Sequence, residues 1–287
     1  MYDKGISGAF LLILTAGLAA GQTSKNSPTF HFFQYPDAVK TALYGVSNTN
    51  VGAGWYVDVN NVRHGYVAGK GSSTTIDDPN GVGATTASSV NSSGTVVGYY
   101  DDEFGNVHGF SYSNGSFEDV GPPGAPASRV LGINDRGQMA GDFVDTDNFL
   151  KGWIFDGSTY QTVVAPECTV TQVSGINVNG LAVVEGTSSR GYRVSFLYDG
   201  TTFTPIDVPG ARDSIANAIN SAGDVVYSWD DSLGRFQGDL RSGGKHTKFE
   251  NPACTGGTYA QGINDHHVIV GFCILQGQAT RGFYITY

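Results

Sequence analysis

The sequence predicts an all-β protein, a six-bladed β-propeller of four-stranded antiparallel blades whose last blade is closed by the N-terminal strand. Three observations lead there: a composition of turn and strand formers, a repeat of about 43 residues, and two chain ends that complement each other. Of 287 residues, 41 are Gly, 12 % are aromatic and only 15 % are charged. Glycine is thus about twice as common as in an average chain, and charge is well below the usual quarter. That mixture excludes a coiled coil, a helical array rich in Ala, Glu, Lys and Leu, and a disordered polyelectrolyte. It suits short strands joined by tight turns. A formal net charge of −10 supplies no basic footprint for a nucleic-acid partner.

The repeat is read from six tripeptides: Val46-Ser47-Asn48, Ser89-Val90-Asn91, Gly132-Ile133-Asn134, Gly175-Ile176-Asn177, Ala218-Ile219-Asn220 and Gly262-Ile263-Asn264. Their Asn residues lie 43 or 44 positions apart, a period that means either helical pairs or four-stranded blades. Gly and turn signals come too often for a 3.6-residue apolar pattern to survive, so blades are predicted. Each unit then holds four strands, a to d, with a ending at the Asn. Strand b is a continuous apolar run, as in Val268-Ile269-Val270-Gly271-Phe272, which suits a sheet covered on both faces. Strand d alternates with polar residues, as in His246-Thr247-Lys248-Phe249-Glu250, and suits a wetted outer edge.

The ends close the ring. The last unit stops within Gly282-Phe283-Tyr284-Ile285-Thr286-Tyr287, a strand c, and lacks its d. Thr29-Phe30-His31-Phe32-Phe33-Gln34-Tyr35-Pro36-Asp37-Ala38 has the pattern of a strand d with its Pro connection, and no a–c precedes it. Pairing the spare strand with the incomplete blade removes raw edges that invite aggregation. The propeller domain is predicted over 30–287. Ahead of it, Ile6 to Ala20 is an apolar and small-residue run behind Lys4, short of the ~20 residues of a membrane span. It predicts a signal peptide over 1–20, cleaved near Ala20–Gly21, then a polar leader over 21–29; an uncleaved anchor is the alternative. The mature chain is expected to be extracellular or periplasmic, monomeric and without a membrane span.

The pattern Gly-Ile-Asn-x-x-Gly-x-Val-Val-Gly, His-small-aromatic, Ile-Asp-x-Pro-Gly-Ala resembles the bacterial extracellular HAF repeat. The best copies are Val90-Asn91-Ser92-Ser93-Gly94-Thr95-Val96-Val97-Gly98, His108-Gly109-Phe110 and Ile206-Asp207-Val208-Pro209-Gly210-Ala211, with His64-Gly65-Tyr66 as a second tripeptide. The resemblance spans all six units. It departs where Lys151, Arg193, Arg235 and Arg281 take the His slot and where Gly replaces the central Ala. It implies secretion and a repeat-built β structure, and it assigns no activity or catalytic residues.

Four sets of residues are candidates for chemistry. The ring of Asn48, Asn91, Asn134, Asn177, Asn220 and Asn264 reads first as turn-capping side chains, since Asn-x-x-Gly suits a side chain bonded to its own turn. The basic slot of His64, His108, Lys151, Arg193, Arg235 and Arg281 opens strand c, and strand d carries Asp77, Asp119 and Asp207 beside the start of the next connection. Cross-strand ion pairs between them are predicted, with a basic ring for an anionic partner as the alternative. Asp58, Asp101, Asp102, Asp145, Asp147, Asp230 and Asp231 sit in the b–c turns, on the same face as the d–a connections, and make that acidic face the candidate for ligand or weak Ca²⁺ binding. No other cofactor and no metal site are expected; His266-His267 lacks partners at ligand spacing. Finally, Cys254 and Cys273 flank strands a and b of the last blade and are predicted to pair, leaving Cys168 free.

No nucleophile elbow, phosphate loop or His-Glu-x-x-His is present, and the unit spacing varies by one residue. The leading expectation is a secreted, non-catalytic scaffold that binds protein or polysaccharide through its acidic loop face. A glycan hydrolase or lyase working from Asp102, Asp145 or Asp230 is the alternative. A structural envelope protein without ligand is a third.

Overall fold

The computed structural model describes residues 28–231 and 234–286; the predicted signal peptide over 1–20 lies outside the described residues. Among them, strands form six four-stranded antiparallel sheets. The first described strand is β1 (Thr29–Phe33). Blade one is β2 (Lys40–Val46), β3 (Gly52–Val57), β4 (Arg63–Gly69) and β5 (Ser72–Ile76); blade two is β6 (Thr85–Val90), β7 (Val96–Asp101), β8 (Val107–Ser113) and β9 (Ser116–Asp119). Blade three is β10 (Ala127–Ile133), β11 (Met139–Val144), β12 (Leu150–Phe155) and β13 (Tyr160–Val163); blade four is β14 (Cys168–Ile176), β15 (Ala182–Ser188), β16 (Arg193–Tyr198) and β17 (Phe203–Pro205). Blade five is β18 (Ser214–Ile219), β19 (Val225–Asp230), β20 (Phe236–Ser242) and β21 (Lys245–Phe249). Blade six is β22 (Gly257–Ile263), β23 (Ile269–Ile274) and β24 (Thr280–Thr286). Each blade is a simple meander, and β1 supplies the fourth strand of blade six.

Closure rests on a full register and on aromatic contact. β1 runs antiparallel to β24, with Phe32 opposite Phe283 and Phe33 opposite Gly282. The Phe30 ring lies 5.3 Å from Phe283 and 6.2 Å from Phe249 of blade five. Phe33 lies 5.8 Å from Tyr66 of blade one. The N-terminal strand therefore joins its own blade by hydrogen bonds and both neighbouring blades by apolar burial, and it pairs the edge that β24 would otherwise leave open.

The middle of each blade is packed by a cross-strand pair between b and c. Gly54 faces Tyr66, Gly98 faces Phe110, Gly141 faces Trp153 and Gly271 faces Phe283. A Cβ at Gly98 would meet the Thr86 carbonyl at 2.0 Å and the Phe110 ring at 2.9 Å. The glycine therefore makes room for the ring that fills the gap between blades. Blade five reverses the pair: Tyr227 on b faces Asp239 on c, both fully buried. The large side chain has changed strands, and the aspartate that takes the aromatic slot binds His246 Nδ1 at 2.6 Å. Burial raises its carboxyl above the ordinary value, with the His246 hydrogen bond opposing.

Every strand a carries a one-residue bulge, at Tyr44, Ser88, Leu131, Ser174, Asn217 and Gln261. Those six residues line the central channel, a cavity of about 230 Å³. A bulge leaves one residue outside the ladder and re-aims it; here it turns one side chain per blade toward the ring axis.

Candidate functional site

The ring has two faces, and the turns that build them use the same backbone device. In each a–b turn one residue bonds its N–H to the carbonyl four positions on, as Asn134 does with Gln138 and Asn177 with Leu181. The Asn134 Oδ1 accepts the N–H groups of Arg136 and Gln138, and the Asn177 Oδ1 those of Asn179 and Leu181. The Nδ2 of each Asn then donates across to the next blade: Asn91 to Asn134 O, Asn134 to Asn177 O, Asn177 to Asn220 O, Asn220 to Asn264 O, and Asn264 to Ser47 O. The capping ring is also a girdle that ties blade to blade.

Blade one corrects the expected ring. The residue whose N–H bonds four positions on is Ser47, to Val51, and its Oγ accepts the Val51 N–H. Asn48 lies one position beyond the slot, because Val46-Ser47-Asn48 matches the other tripeptides by composition but not by phase. Its Nδ2 instead donates to Asp135 at 3.1 Å and to Asp265 at 2.9 Å. Those carboxylates also cap Ser92 and Ser221 of the preceding blades. Asn48 thus bridges blades three and six where the channel meets this face.

The opposite face carries the b–c turns and the d–a connections. Asp58, Asp102, Asp145 and Asp231 each bond the N–H to the carbonyl four positions on, the pattern of the Asn turns. Their Oδ1 atoms accept turn N–H groups: Val62 on Asp58, Asn106 on Asp102, Phe149 on Asp145 and Arg235 on Asp231. Their second oxygens take side chains, including Asn60 on Asp58, His108 on Asp102 at 3.0 Å, Lys151 on Asp145 and Arg235 on Asp231 at 2.9 Å. Hydrogen bonds from Asn106 and His108 hold the Asp102 carboxyl well below the usual range; Lys151 and the Phe149 N–H lower Asp145, and the Val62 N–H lowers Asp58. Asp101 faces Arg63 at 3.8 Å, buried Asp230 accepts the Asp213 N–H at 2.7 Å with Arg212 at 3.4 Å, and Asp147 donates its N–H to Asp145. These acids are turn caps and ion-pair partners spread over blades one, two, three and five. Among the described residues no three His, Cys, Asp or Glu side chains gather to hold a metal.

The basic slot is corrected twice. Its partners are mainly turn aspartates, not strand-d acids: only His64 takes the expected kind, Asp77, at 2.7 Å. Asp119 accepts the Tyr100 hydroxyl, and Asp207 accepts the Ser195 N–H. His108, Lys151 and Arg235 reach back into the b–c turn they follow, while Asp119 and Asp207 take other donors. Register also moves the slot. Opposite Tyr100 and Phe143 stand His108 and Lys151, but the matching positions of blades four and five hold Val194 and Gln237. Arg193 and Arg235 precede it; Arg193 pairs with Glu185 at 3.0 Å. Arg281 points at the Val39 carbonyl at 3.5 Å.

Cys254, in the d–a connection of blade six, is disulfide-bonded to Cys273 on β23, and Cys168 is free. His267 Nε2 lies 2.8 Å from Asp224. On the acidic face the sequence reading passed over the apolar residues at the turn tips. Val59, Phe104, Phe149 and Tyr192 stand exposed in the b–c turns of blades one to four, Phe104 at 80 %. Val39, Val82 and Val164 are exposed in d–a connections on the same side. Lone apolar residues in loops look like noise in a sequence; their gathering on one face appears only once the ring is closed.

No family model and no curated protein matches the chain. Solved structures do. A mutant of AofleA from Arthrobotrys oligospora superposes with a TM-score of 0.58 at 12 % identity, covering 93 % of this chain and 89 % of that one. A mutant of Aleuria aurantia lectin in complex with α-methyl-L-fucoside gives 0.54 at 11 % identity, covering 88 % and 96 %. The β-propeller domain of the trilobed protease from Pyrococcus furiosus, described as having an open velcro topology, gives 0.55 at 11 %, covering 86 % and 81 %. At such identity the likeness is one of fold.

Proposed function

We propose that this chain is an exported, non-catalytic propeller of the HAF-repeat type that holds an extracellular glycan against the face carrying its b–c turns. The observation that carries the reading is the division of labour on that face. Its acids are bound to their own turns and bases, whereas its aromatic and aliphatic tips stand free of the core. A hydrolase needs a pair of carboxyl groups flanking one bond, and Asp102, Asp145 and Asp230 belong to three different blades. Exposed rings suit the apolar face of a sugar, and large exposed patches mark interaction sites. That lectins, one of them bound to a fucoside, share the six-bladed fold supports a sugar over other ligands.

The test is retention and turnover on a panel of extracellular polysaccharides. The purified protein should be retained on at least one of them and release no reducing ends. A Phe104→Ala/Phe149→Ala variant that melts like the native protein should lose most of the retention. Reducing-end release abolished by Asp102→Ala or Asp145→Ala would overturn the non-catalytic reading.

A further inference from the structure

The face that carries the apolar tips is unevenly charged around the ring. Its connections into and through blades one to three are residues 34–39, 58–62, 77–84, 102–106, 120–126 and 145–149. They hold eight Asp or Glu and no Lys or Arg. The corresponding connections of blades four to six, 164–167, 189–192, 206–213, 231–235, 250–256 and 275–279, hold five acids and three arginines. One half of the face is thus a field of a single sign. Self-repulsion makes such a field a burden on the compact state, and the same field draws in a partner of opposite charge.

Some of those carboxylates are engaged by the fold and some are not. Asp58, Asp102 and Asp145 cap their own turns, and Asp77 takes His64. Asp37, Glu103 and Asp147 are exposed, and among the described residues no hydrogen bond or ion pair reaches their carboxylates. Each stands one or two positions from an exposed apolar side chain: Asp37 from Val39, Glu103 from Phe104 and Asp147 from Phe149. The three pairs occupy three separate connections, one leading into blade one and one each in the b–c turns of blades two and three. An apolar tip with a free negative charge beside it is therefore presented at intervals along this half of the ring.

We infer that the glycan held on this face is cationic, a hexosamine polymer with free amino groups that lies over the tips of blades one to three. This rests on the glycan reading above and names its chemistry. A metal ion needs several oxygens at one point, and these carboxylates are spread over separate turns. A polymer with one ammonium group per sugar meets one carboxylate at each of several turns. Its pyranose rings offer the apolar face that Phe104 and Phe149 take up, and an ammonium group is attracted both to the carboxylate and to the aromatic face beside it. Each exposed ion pair is weak, so affinity comes from several held at once, and salt screens it. The same field repels a polyuronate, and a neutral glycan leaves the free carboxylates without a partner.

The experiment is calorimetry of the purified protein, in weakly acidic buffer at low and high sodium chloride, with four probes. They are a glucosamine hexamer, its fully N-acetylated counterpart, an oligogalacturonate and hexalysine, which carries the charges without the sugar rings. The glucosamine hexamer should bind, about tenfold more weakly at high salt, and the acetylated hexamer about tenfold more weakly than it at low salt. The other two should not bind. Glu103→Gln/Asp147→Asn should weaken the glucosamine hexamer about fivefold and flatten its salt dependence, with an unchanged melting temperature. Asp156→Asn/Asp199→Asn removes the same two charges from c–d turns of the other face and should leave the binding as it was. Equal, salt-insensitive binding of both hexamers overturns the cationic reading and leaves the glycan reading standing, as does retention on the polysaccharide panel without binding of either hexamer. An equal loss in the two charge variants overturns it, and so does hexalysine bound as tightly as the sugar, the result expected of a face for basic peptides. Failure of both the hexamers and the panel removes the two readings together.

Discussion

The two faces of the ring solve one turn problem with two different caps. On one face the turn residue is Asn, on the other mostly Asp, and in both the side-chain oxygen accepts the same two turn N–H groups. What differs is the second group. Asn has a donor left over, and on the crowded face it reaches a carbonyl of the next blade, as Asn177 reaches Asn220 at 2.9 Å. Asp has only acceptors, and on the splayed face it draws in the base that opens its own strand c, as Asp145 draws Lys151. The caps therefore lock blades together on one side and keep each blade to itself on the other. Blade six lacks the acidic cap, with Leu275 in its slot, and there the Cys254–Cys273 disulfide ties the d–a connection to strand b instead.

Exchanging the caps breaks this comparison most sharply. Asn177→Asp keeps the turn acceptor but sets a buried carboxylate against the Asn220 carbonyl, and an uncompensated buried charge costs about 3–5 kcal/mol. Asn177→Ser, which copies blade one, should cost only about 1 kcal/mol, since the cap survives and one interblade hydrogen bond is lost. Urea melts of the two variants measure the difference, and equal losses would show that the girdle adds nothing beyond the cap. Next in size is Cys254→Ser/Cys273→Ser. Opening a loop of sequence separation 19 costs about 3 kcal/mol on the chain-entropy estimate, and a thiol titration of denatured native protein should find one free thiol, not three.

The smallest effect sits on the acidic face. Asp145→Asn keeps the turn acceptor and loses the Lys151 partner, so its melting temperature at neutral pH should fall less than in either case above. Its pH dependence carries the sign. The Asp145 carboxyl is depressed below its ordinary 3.8, so its contribution is present above that value and is lost as pH falls through the folded-state value. The gap between native and variant melting temperatures should therefore close in acid; a gap that widened below pH 3.8 would contradict the assignment.

Much of the architecture is legible in the chain because it is written in backbone terms. A period of 43 or 44 set by Asn-x-x-Gly turns, a spare strand ahead of the first unit and a missing one after the last are features of local hydrogen bonding and strand count. They led to the blades, the closure of β1 on β24 and the cysteine pair without any knowledge of contacts. Composition misled where phase mattered: Asn48 looks like its counterparts, and only the hydrogen bond from Ser47 to Val51 shows which residue caps the turn. The basic slot slipped in blades four and five for the same reason, since a positive charge near the start of strand c is not a register. Regular spacing likewise conceals that blade five holds Asp239 where blades one, two, three and six hold an aromatic residue.

What sequence alone determined about this protein is the kind of ring and how it shuts, because turns, strands and chain ends act over a few residues at a time. What only the tertiary structure decided is which side chains share a space. Tyr44 meets Phe272, Gln172 meets Asp142, and the turn tips gather on one face. Those residues lie tens to hundreds of positions apart, and the closing of the ring is what brings them together. The apolar face and the channel lining exist as surfaces only in the assembled circle, so no local pattern announces them.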